Sequence, residues 1–405
     1  MIIERPRLVK RINEARKWVM VYGRRKTGKS FIVENFIKWD DYFFVKRDRT
    51  IISKKGNKII NRETFLELMS RGLNEERTIV VDEFHRLGND FFDFLHSMKK
   101  SGRLILISST LYLSKKLFDS RSPLLGFFAE VPVWSIDIED SISALIKYHL
   151  DNKTLLEMGV ILTEPIAIDY FEENKNPRSV FANIILNSAK TIPSLIGEIF
   201  AEEERSVSAV YEGILRAIAN GDIVSGEITS YLFSRKLINK DDPSLIQQYL
   251  NNLVDFGVIK RIKVFGKNKF VYKHQSPLAR IFYYSDEKYN ISERNPTEEE
   301  IEAIVAEMMP KIIEDCVREL IARKRGLTES IVEASDYDVD AYLLKFKKPK
   351  IAVEVKWKKV NLKDLEKAET TLQKVEAEEK LLFIPDKKKF NYKTKLEITD
   401  ILDFA

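Results

Sequence analysis

Trp18-Val19-Met20-Val21-Tyr22-Gly23-Arg24-Arg25-Lys26-Thr27-Gly28-Lys29-Ser30 is the stretch from which the rest of this 405-residue chain is read. Its last eight residues spell G-x-x-x-x-G-K-[ST], a loop whose backbone N–H groups cradle phosphates. The apolar run Trp18–Tyr22 predicts a short buried strand before the loop. After it, Phe31, Ile32, Phe36 and Ile37 recur at helical spacing, so the loop opens onto a helix N-terminus, where anions are favoured. In such loops the lysine, here Lys29, reaches the β- and γ-phosphates, and the hydroxyl, here Ser30, ligates Mg²⁺. Gly23, Arg24, Arg25, Lys26, Thr27, Gly28, Lys29, Ser30 and Phe31 are therefore the expected nucleotide-binding residues.

A phosphate loop needs an acidic partner at the end of a second buried strand, and Thr78-Ile79-Val80-Val81-Asp82-Glu83 supplies it. Asp82 is expected to hold Mg²⁺ and Glu83 to polarise an attacking water. A third strand, Leu104–Ile107, ends in Ser108-Ser109-Thr110, which puts Ser109 where a γ-phosphate is sensed. With Phe43–Val45 and Val131–Val133 the set reaches about five short strands alternating with helices, so the expected fold class is α/β with a P-loop parallel sheet. Asn239-Lys240-Asp241-Asp242 matches the guanine-reading N-K-x-D. It ends a helix instead of a strand, and Asp82-Glu83-Phe84-His85 offers no D-x-x-G. The expected nucleotide is ATP with Mg²⁺.

The length exceeds one compact core, so two to four domains are expected. No run of 18 apolar residues appears, and Met1-Ile2-Ile3-Glu4-Arg5-Pro6 has no hydrophobic segment of a signal peptide. Cys316 is the sole cysteine, which excludes intramolecular disulfides and thiolate zinc sites. His85, His96, His149 and His274 are scattered and suggest no metal cluster. A cytoplasmic location and no membrane partner are expected. The net charge is +5, and lysine crowds the C-terminal end in Lys345-Phe346-Lys347-Lys348, Lys356-Trp357-Lys358-Lys359 and Lys387-Lys388-Lys389. Such an end tolerates a polyanionic partner without demonstrating one.

Beyond a P-loop core at 1–137, Asp140–Glu204 reads as helical with breaks at Asn174–Pro177 and Pro193, a lid over 138–205. Helices over Val210–Ala219, Gly226–Leu237 and Pro243–Phe256, then β-rich runs Val258–Val264 and Lys269–Tyr272, predict a winged helix-turn-helix at 206–285. Its third helix offers Gln247, Gln248, Asn251 and Asn252 to base edges but no Lys or Arg. The basic residues, Lys260, Arg261, Lys263, Lys267 and Lys269, lie on the wing. A wing on a phosphate backbone and a lever acting on the ATPase both stay open.

At 296–405, Ile351–Trp357 alternates with period two, which puts Glu354 and Lys356 on one face. Tyr337–Tyr342 is predicted as another strand, with Asp338 and Asp340 on a common side, and a helix Ile313–Ala322 contributes Glu314. Asp…E-x-K on neighbouring strands is the metal-binding core of restriction-endonuclease-like folds. Glu314, Asp340 and Glu354 are the expected Mg²⁺ ligands, and Lys356 positions water for phosphodiester cleavage. An inactive fold kept as a binding platform is the other reading.

Together these residues resemble the archaeal ATPases of the STAND class of P-loop NTPases, relatives of AAA+ proteins. Members join a P-loop domain, a winged helix and a C-terminal restriction-endonuclease-like, or PD-(D/E)XK, domain, and the resemblance covers nearly the whole chain. Gly23–Ser30 looks like the family's arginine-rich Walker A, Val81-Asp82-Glu83-Phe84 like its Walker B, and Ser108-Ser109 like its sensor. Glu314, Asp340, Glu354 and Lys356 fall on its nuclease-like positions, with Trp357 completing E-x-K-W.

Three departures stand out. The family's arginine soon after S-P-L is missing, since Ser122-Pro123-Leu124-Leu125-Gly126 leads to Phe127 and Arg121 lies on the other side. The glycine-rich lid motif appears only as Thr163-Glu164-Pro165, and the tryptophan pair before the nuclease Asp is absent. The resemblance implies a slow ATP-hydrolysing switch that couples nucleotide state to a nucleic-acid or protein partner. Its rivals are an ATP-gated metal-dependent DNA endonuclease using Asp340, Glu354 and Lys356, and a non-hydrolysing ATP-binding scaffold. DNA, met through the winged helix and C-terminal domain, and a nucleotide-dependent oligomer are the partners left open.

Overall fold

The computed structural model describes residues 1–16, 18–109, 122, 124–197, 205–334 and 336–405, without the side chains of 195–197 and 205–207. The chain divides into two compact units, residues 5–135 and residues 136–405 with 1–4.

The first unit is built on seven strands: β1 (Trp18–Tyr22), β2 (Asp41–Val45), β3 (Ile51–Ser53), β4 (Lys58–Ile60), β5 (Thr78–Asp82), β6 (Arg103–Ser108) and β7 (Phe128–Pro132). They run β4-β3-β2-β5-β6-β1-β7 across the sheet. β2, β5, β6, β1 and β7 are mutually parallel. β3 and β4 add an antiparallel edge that the sequence reading lacked. Val19–Val21, Ile79–Val81 and Leu104–Ile107 are fully buried, as strands covered on both faces must be. Because successive residues point to opposite faces, Met20, Val81 and Leu106 join one core with Phe65 and Phe91. Val21, Val80 and Ile107 join another with Ile32 and Val33 of the helix Lys29–Phe36. β6 lies between β1 and β5, in register Tyr22↔Ser108 and Asp82↔Ile107, so three polar strand ends stand side by side.

The second unit opens with helices Ile138–Leu145, Asn152–Ile161, Pro177–Ser188 and Thr191–Gly197. Helices Arg205–Asn220, Ser225–Ser234 and Gln247–Asp255 follow, then a hairpin of β8 (Ile259–Val264) and β9 (Phe270–His274). The stretch expected to open the third helix is a 3₁₀ turn, Pro243–Ile246, capped by Asp242 on the Ser244 N–H. Helix Pro277–Tyr289 leads to a 28-residue helix, Glu298–Arg325. Thr297 and Glu300 cap this helix, three glutamates fill its first turn, and three cations its last, all suited to the helix dipole. The expected helix Ile313–Ala322 is thus only the second half of a longer one that runs through Pro310.

The last strands are β10 (Ser330–Glu333), β11 (Asp338–Val339), β12 (Ala341–Lys345), β13 (Lys348–Val355), β14 (Glu379–Phe383) and β15 (Glu397–Thr399). The expected hairpin forms as β8–β9, and β10 pairs parallel with β8 to extend it into the sheet β11-β10-β8-β9. One expectation fails: Tyr337–Tyr342 is not one strand. β11 belongs to that sheet, β12 to the separate sheet β12-β13-β14-β15, and Asp340 is the junction between them. Its Oδ2 accepts the Val355 N–H at 2.8 Å, which fixes the crossing, while Asp338 is left exposed. Among the described residues, no helix is long and apolar enough to cross a membrane.

Candidate nucleotide-binding site

The loop after β1 starts where only glycine fits. Gly23 has φ +150°, and a Cβ there would lie 2.2 Å from the Val133 carbonyl oxygen. Gly28, at φ +87°, turns the chain into the helix that begins at Lys29. Arg5 braces the loop by donating to the carbonyls of Thr27 (3.2 Å), Trp134 (3.2 Å) and Ser135 (2.8 Å). Arg24 donates from its guanidinium to Ser135 Oγ at 3.0 Å. Lys29 is buried and donates to the carbonyls of Gly23 (2.8 Å) and Arg24 (2.7 Å). Burial pushes its pKa down to about 8, against the pull of Glu83 and Asp82. Phe31 stands largely exposed on the first helical turn, its ring near Phe36.

Asp82 ends β5 at 2% exposure. Its Oδ2 accepts the Tyr42 hydroxyl at 2.7 Å, and Ser30 also hydrogen-bonds to the carboxylate. Burial raises the Asp82 pKa, while the bonds from Ser30 and Tyr42 lower it. Its Oδ1 is buried with no hydrogen-bond partner. A carboxylate oxygen so placed, beside the Ser30 hydroxyl, fits a Mg²⁺ ion. Tyr42 is a neighbour of the candidate site that the sequence reading missed. The signal was a lone buried phenol in a strand otherwise apolar between Asp41 and Val45.

Glu83 leaves the strand in a left-handed conformation, φ 57°, which swings its carboxylate back toward β6. Oε2 accepts from Ser109 Oγ at 2.9 Å, with His85 Nε2 at 3.3 Å and Arg86 at 3.5 Å. Arg86 also donates to the Val45 carbonyl at 2.7 Å, and His85 Nδ1 meets Ser108 Oγ at 3.2 Å. Burial first, then Arg86, pushes the His85 pKa down to about 4. Ser109, expected at the γ-phosphate, therefore touches the expected base. Thr110, Arg121 and Pro123 lie outside the described residues.

In the second unit Glu314, Asp340, Glu354 and Lys356 form an electrostatic cluster. Lys356 Nζ lies 2.7 Å from Glu354 Oε2. Burial, then Asp340, raises the pKa of both Glu314 and Glu354 to about 7, and burial raises that of Asp340. Yet among the described residues no group of three or more His, Cys, Asp or Glu stands close enough to hold a metal. The three expected ligands are neighbours in charge and not a formed cage.

The amides expected to face bases are engaged internally: Gln247 with the Pro243 carbonyl, Gln248 with Asn252, Asn252 with Tyr211, and Asn251 with Arg261. On the hairpin, Lys260 pairs with Glu319 (3.0 Å) and Glu329 (3.3 Å), and Lys269 with Glu333 (2.7 Å). Those charges are spent inside the unit.

Residues 15–140 match the family model described as AAA domain. This span is AAA-type. No curated protein matches the chain. Solved structures similar to it include the ORC1 protein of Aeropyrum pernix in complex with DNA, at 13% identity and TM-score 0.29, covering 73% of this chain and 95% of that one. The ORC2 protein of the same organism, in ADPNP–ADP complexes, gives 11% identity and TM-score 0.37 over 77% and 93%. Cdc6p from Pyrobaculum aerophilum gives 12% and 0.30 over 78% and 95%. Scores this low leave the reading of the chain to its own residues.

Proposed function

We propose that the chain is a Mg²⁺-dependent, ATP-hydrolysing switch of the STAND/AAA+ type that couples nucleotide state to a nucleic-acid or protein partner. The observation that carries it is Asp82 Oδ1, a buried oxygen without a partner beside Ser30 and next to the phosphate loop. Leaving such an oxygen unpaired costs about 1–3 kcal/mol, which a bound cation recovers. Mg²⁺ held by Ser30 and Asp82 supplies charge neutralisation for the phosphates. Lys29 exchanges its loop carbonyls for phosphate oxygens, and the backbone N–H groups of 24–30 complete the cradle. Glu83 accepts the proton of the attacking water. Ser109, His85 and Arg86 crowd that carboxylate, so turnover is slow until they release it.

Residues 138–205 are read as the lid, 206–285 as a winged helix-turn-helix docked through its hairpin, and 296–405 as a restriction-endonuclease-like domain. DNA and a nucleotide-dependent oligomer belong to this proposal as partners. The rival is a scaffold that binds ATP without turning it over. Phosphate release and ATP binding by Glu83→Gln decide between them. Turnover should fall by about 10²–10⁴-fold while ATP binding survives. Wild-type protein that binds ATP and releases no phosphate would establish the scaffold.

A second reading is favoured by the raised carboxyl pKa values around Asp340 and by Lys356 on Glu354, a pattern common at active sites. On that reading Glu314, Asp340 and Glu354 hold a divalent metal and Lys356 positions water, giving a metal-dependent nuclease. Nicking of supercoiled plasmid that needs Mg²⁺ or Mn²⁺ and vanishes in Asp340→Ala is the expected result. Absence of nicking in the wild type sinks it.

A further inference from the structure

Strands β12 and β13 are joined by a two-residue turn, Phe346-Lys347, with Lys345 paired to Lys348 across it. Both turn residues are left-handed, with φ 48° and 66°. A two-residue turn of this hand asks for Asn-Gly or a similar pair, and a phenylalanine there is disfavoured by its own backbone. The ring gains nothing from burial in return. Phe346 is 91% exposed, the most exposed large apolar side chain among the described residues, where Ile59 follows at 66%.

Lysines flank the ring along the turn. Lys345, Lys347 and Lys348 are exposed and have no carboxylate partner among the described residues, whereas Lys350, further down β13, is paired with Glu378. The tip thus combines backbone strain, an unburied aromatic and three unpaired cations. None of the three helps the hairpin to fold.

We propose that this tip is a nucleic-acid contact, in which Phe346 stacks on an unpaired base while Lys345, Lys347 and Lys348 hold the flanking phosphates. Every base presents a π-face, so an isolated ring binds single strands without reading sequence, and lysines supply the salt-dependent attraction. A lipid surface needs a broad apolar face, which one ring among three lysines does not give. The far end of the hairpin carries Asp340 and Glu354, so at about 3.3 Å per residue the tip stands roughly 20 Å from them. A strand gripped at the tip and laid along the hairpin runs toward that acidic cluster. The contact does not depend on ATP turnover or on cleavage, and it is measured without nucleotide or metal.

The test uses the full chain with a labelled single strand of about 20 nucleotides, its duplex, and phosphatidylserine-containing vesicles. Wild-type protein should bind the single strand more tightly than the duplex and leave the vesicles alone. Replacing the turn by Phe346→Asn with Lys347→Gly should raise the melting temperature, by about 2 °C, because the backbone strain is relieved. The same variant should weaken single-strand binding roughly tenfold. Loss of binding in a more stable protein cannot be misfolding. Lys345→Ala, Lys347→Ala and Lys348→Ala together should flatten the slope of log affinity against log salt by about 2. Unchanged single-strand affinity in the turn variant overturns the proposal. So does equal binding of strand and duplex, or binding to vesicles alone.

Discussion

The candidate nucleotide site of the first unit and the acidic cluster of the second both bury carboxylates, and they handle the charge in opposite ways. At Asp82 the surrounding donors are neutral, a phenol and a serine hydroxyl, and one oxygen is left open to a cation from outside. In the second unit the cations are internal. Asp315 lies within 2.5 Å of Lys273, 2.7 Å of Arg280 and 2.5 Å of Arg318, which hold its carboxyl well below the usual range. Glu314, one residue earlier on the same helix, is raised to about 7 by burial and then by Asp340, against a weaker pull from Lys273 and Lys356. Burial raises the pKa of every one of these acids, and only Asp315 has enough close cations to outweigh it.

The contrast can be broken most sharply at the loop. Gly23→Ala drives a Cβ against the Val133 carbonyl. ATP affinity should fall by about a hundredfold or more in a binding titration, with the second unit unchanged. Retained ATP binding would mean that the loop is not held by this close approach.

Arg318→Leu tests the internal cations. Arg318 is 1% exposed and also bonds Glu329 at 3.0 Å and the Asp340 carbonyl at 3.2 Å. Its loss takes one buried cation from each acid, leaving Asp315 with Lys273 and Arg280 and Glu329 with Lys260, and should cost about 3 kcal/mol, read as faster hydrogen exchange along Glu298–Arg325. ATP binding should survive. A stable variant would show that the network is ornamental.

His274 sharpens the comparison through pH. Its Nε2 meets the Leu215 carbonyl at 2.9 Å, its Nδ1 is buried without a partner, and burial pushes its pKa down to about 4. Between pH 6.5 and 4 the unfolded imidazole takes a proton that the folded one refuses. Stability is therefore full above pH 6.5 and declines as the pH falls toward 4, by up to about 3 kcal/mol. His274→Phe, which keeps the stack on Tyr283, should flatten urea midpoints measured across that range. An unchanged slope places the acid sensitivity elsewhere.

The smallest effect is expected at Tyr42→Phe, which removes one donor from Asp82 Oδ2. About 1 kcal/mol of stability should go, and the Mg²⁺ concentration for half-maximal turnover should shift severalfold. A variant indistinguishable from wild type in both would mean that the phenol plays no part in holding the carboxylate.

The candidate nucleotide site could be proposed from the sequence because its parts are contiguous. Gly23 to Ser30 is one loop, and Asp82 and Glu83 end one strand whose β-branched run announced itself. The sheet followed from apolar runs, except for β3 and β4, three residues each, too short for an alternation to register. The second unit was harder to read. Nothing local marks Asp340 as a junction, since Asp338-Val339-Asp340-Ala341 alternates as a strand should, and only a distant N–H, that of Val355, sets the break. Nor do Lys260 and Lys269 carry any sign that their partners arrive in Glu319, Glu329 and Glu333. Charge pairing between distant segments has no period, so pattern reading misses it and overestimates how much positive charge is free.

The parallel seam between β8 and β10 also has a consequence for how the chain is made. When Val264 leaves the ribosome its strand has one partner to come at once, β9, and another, β10, that begins only at Ser330. At roughly 5–20 residues per second, the outer edge of β8 stays bare for several seconds of synthesis. Unpaired edges of that kind invite pairing with other chains, so this interval exposes nascent protein to aggregation.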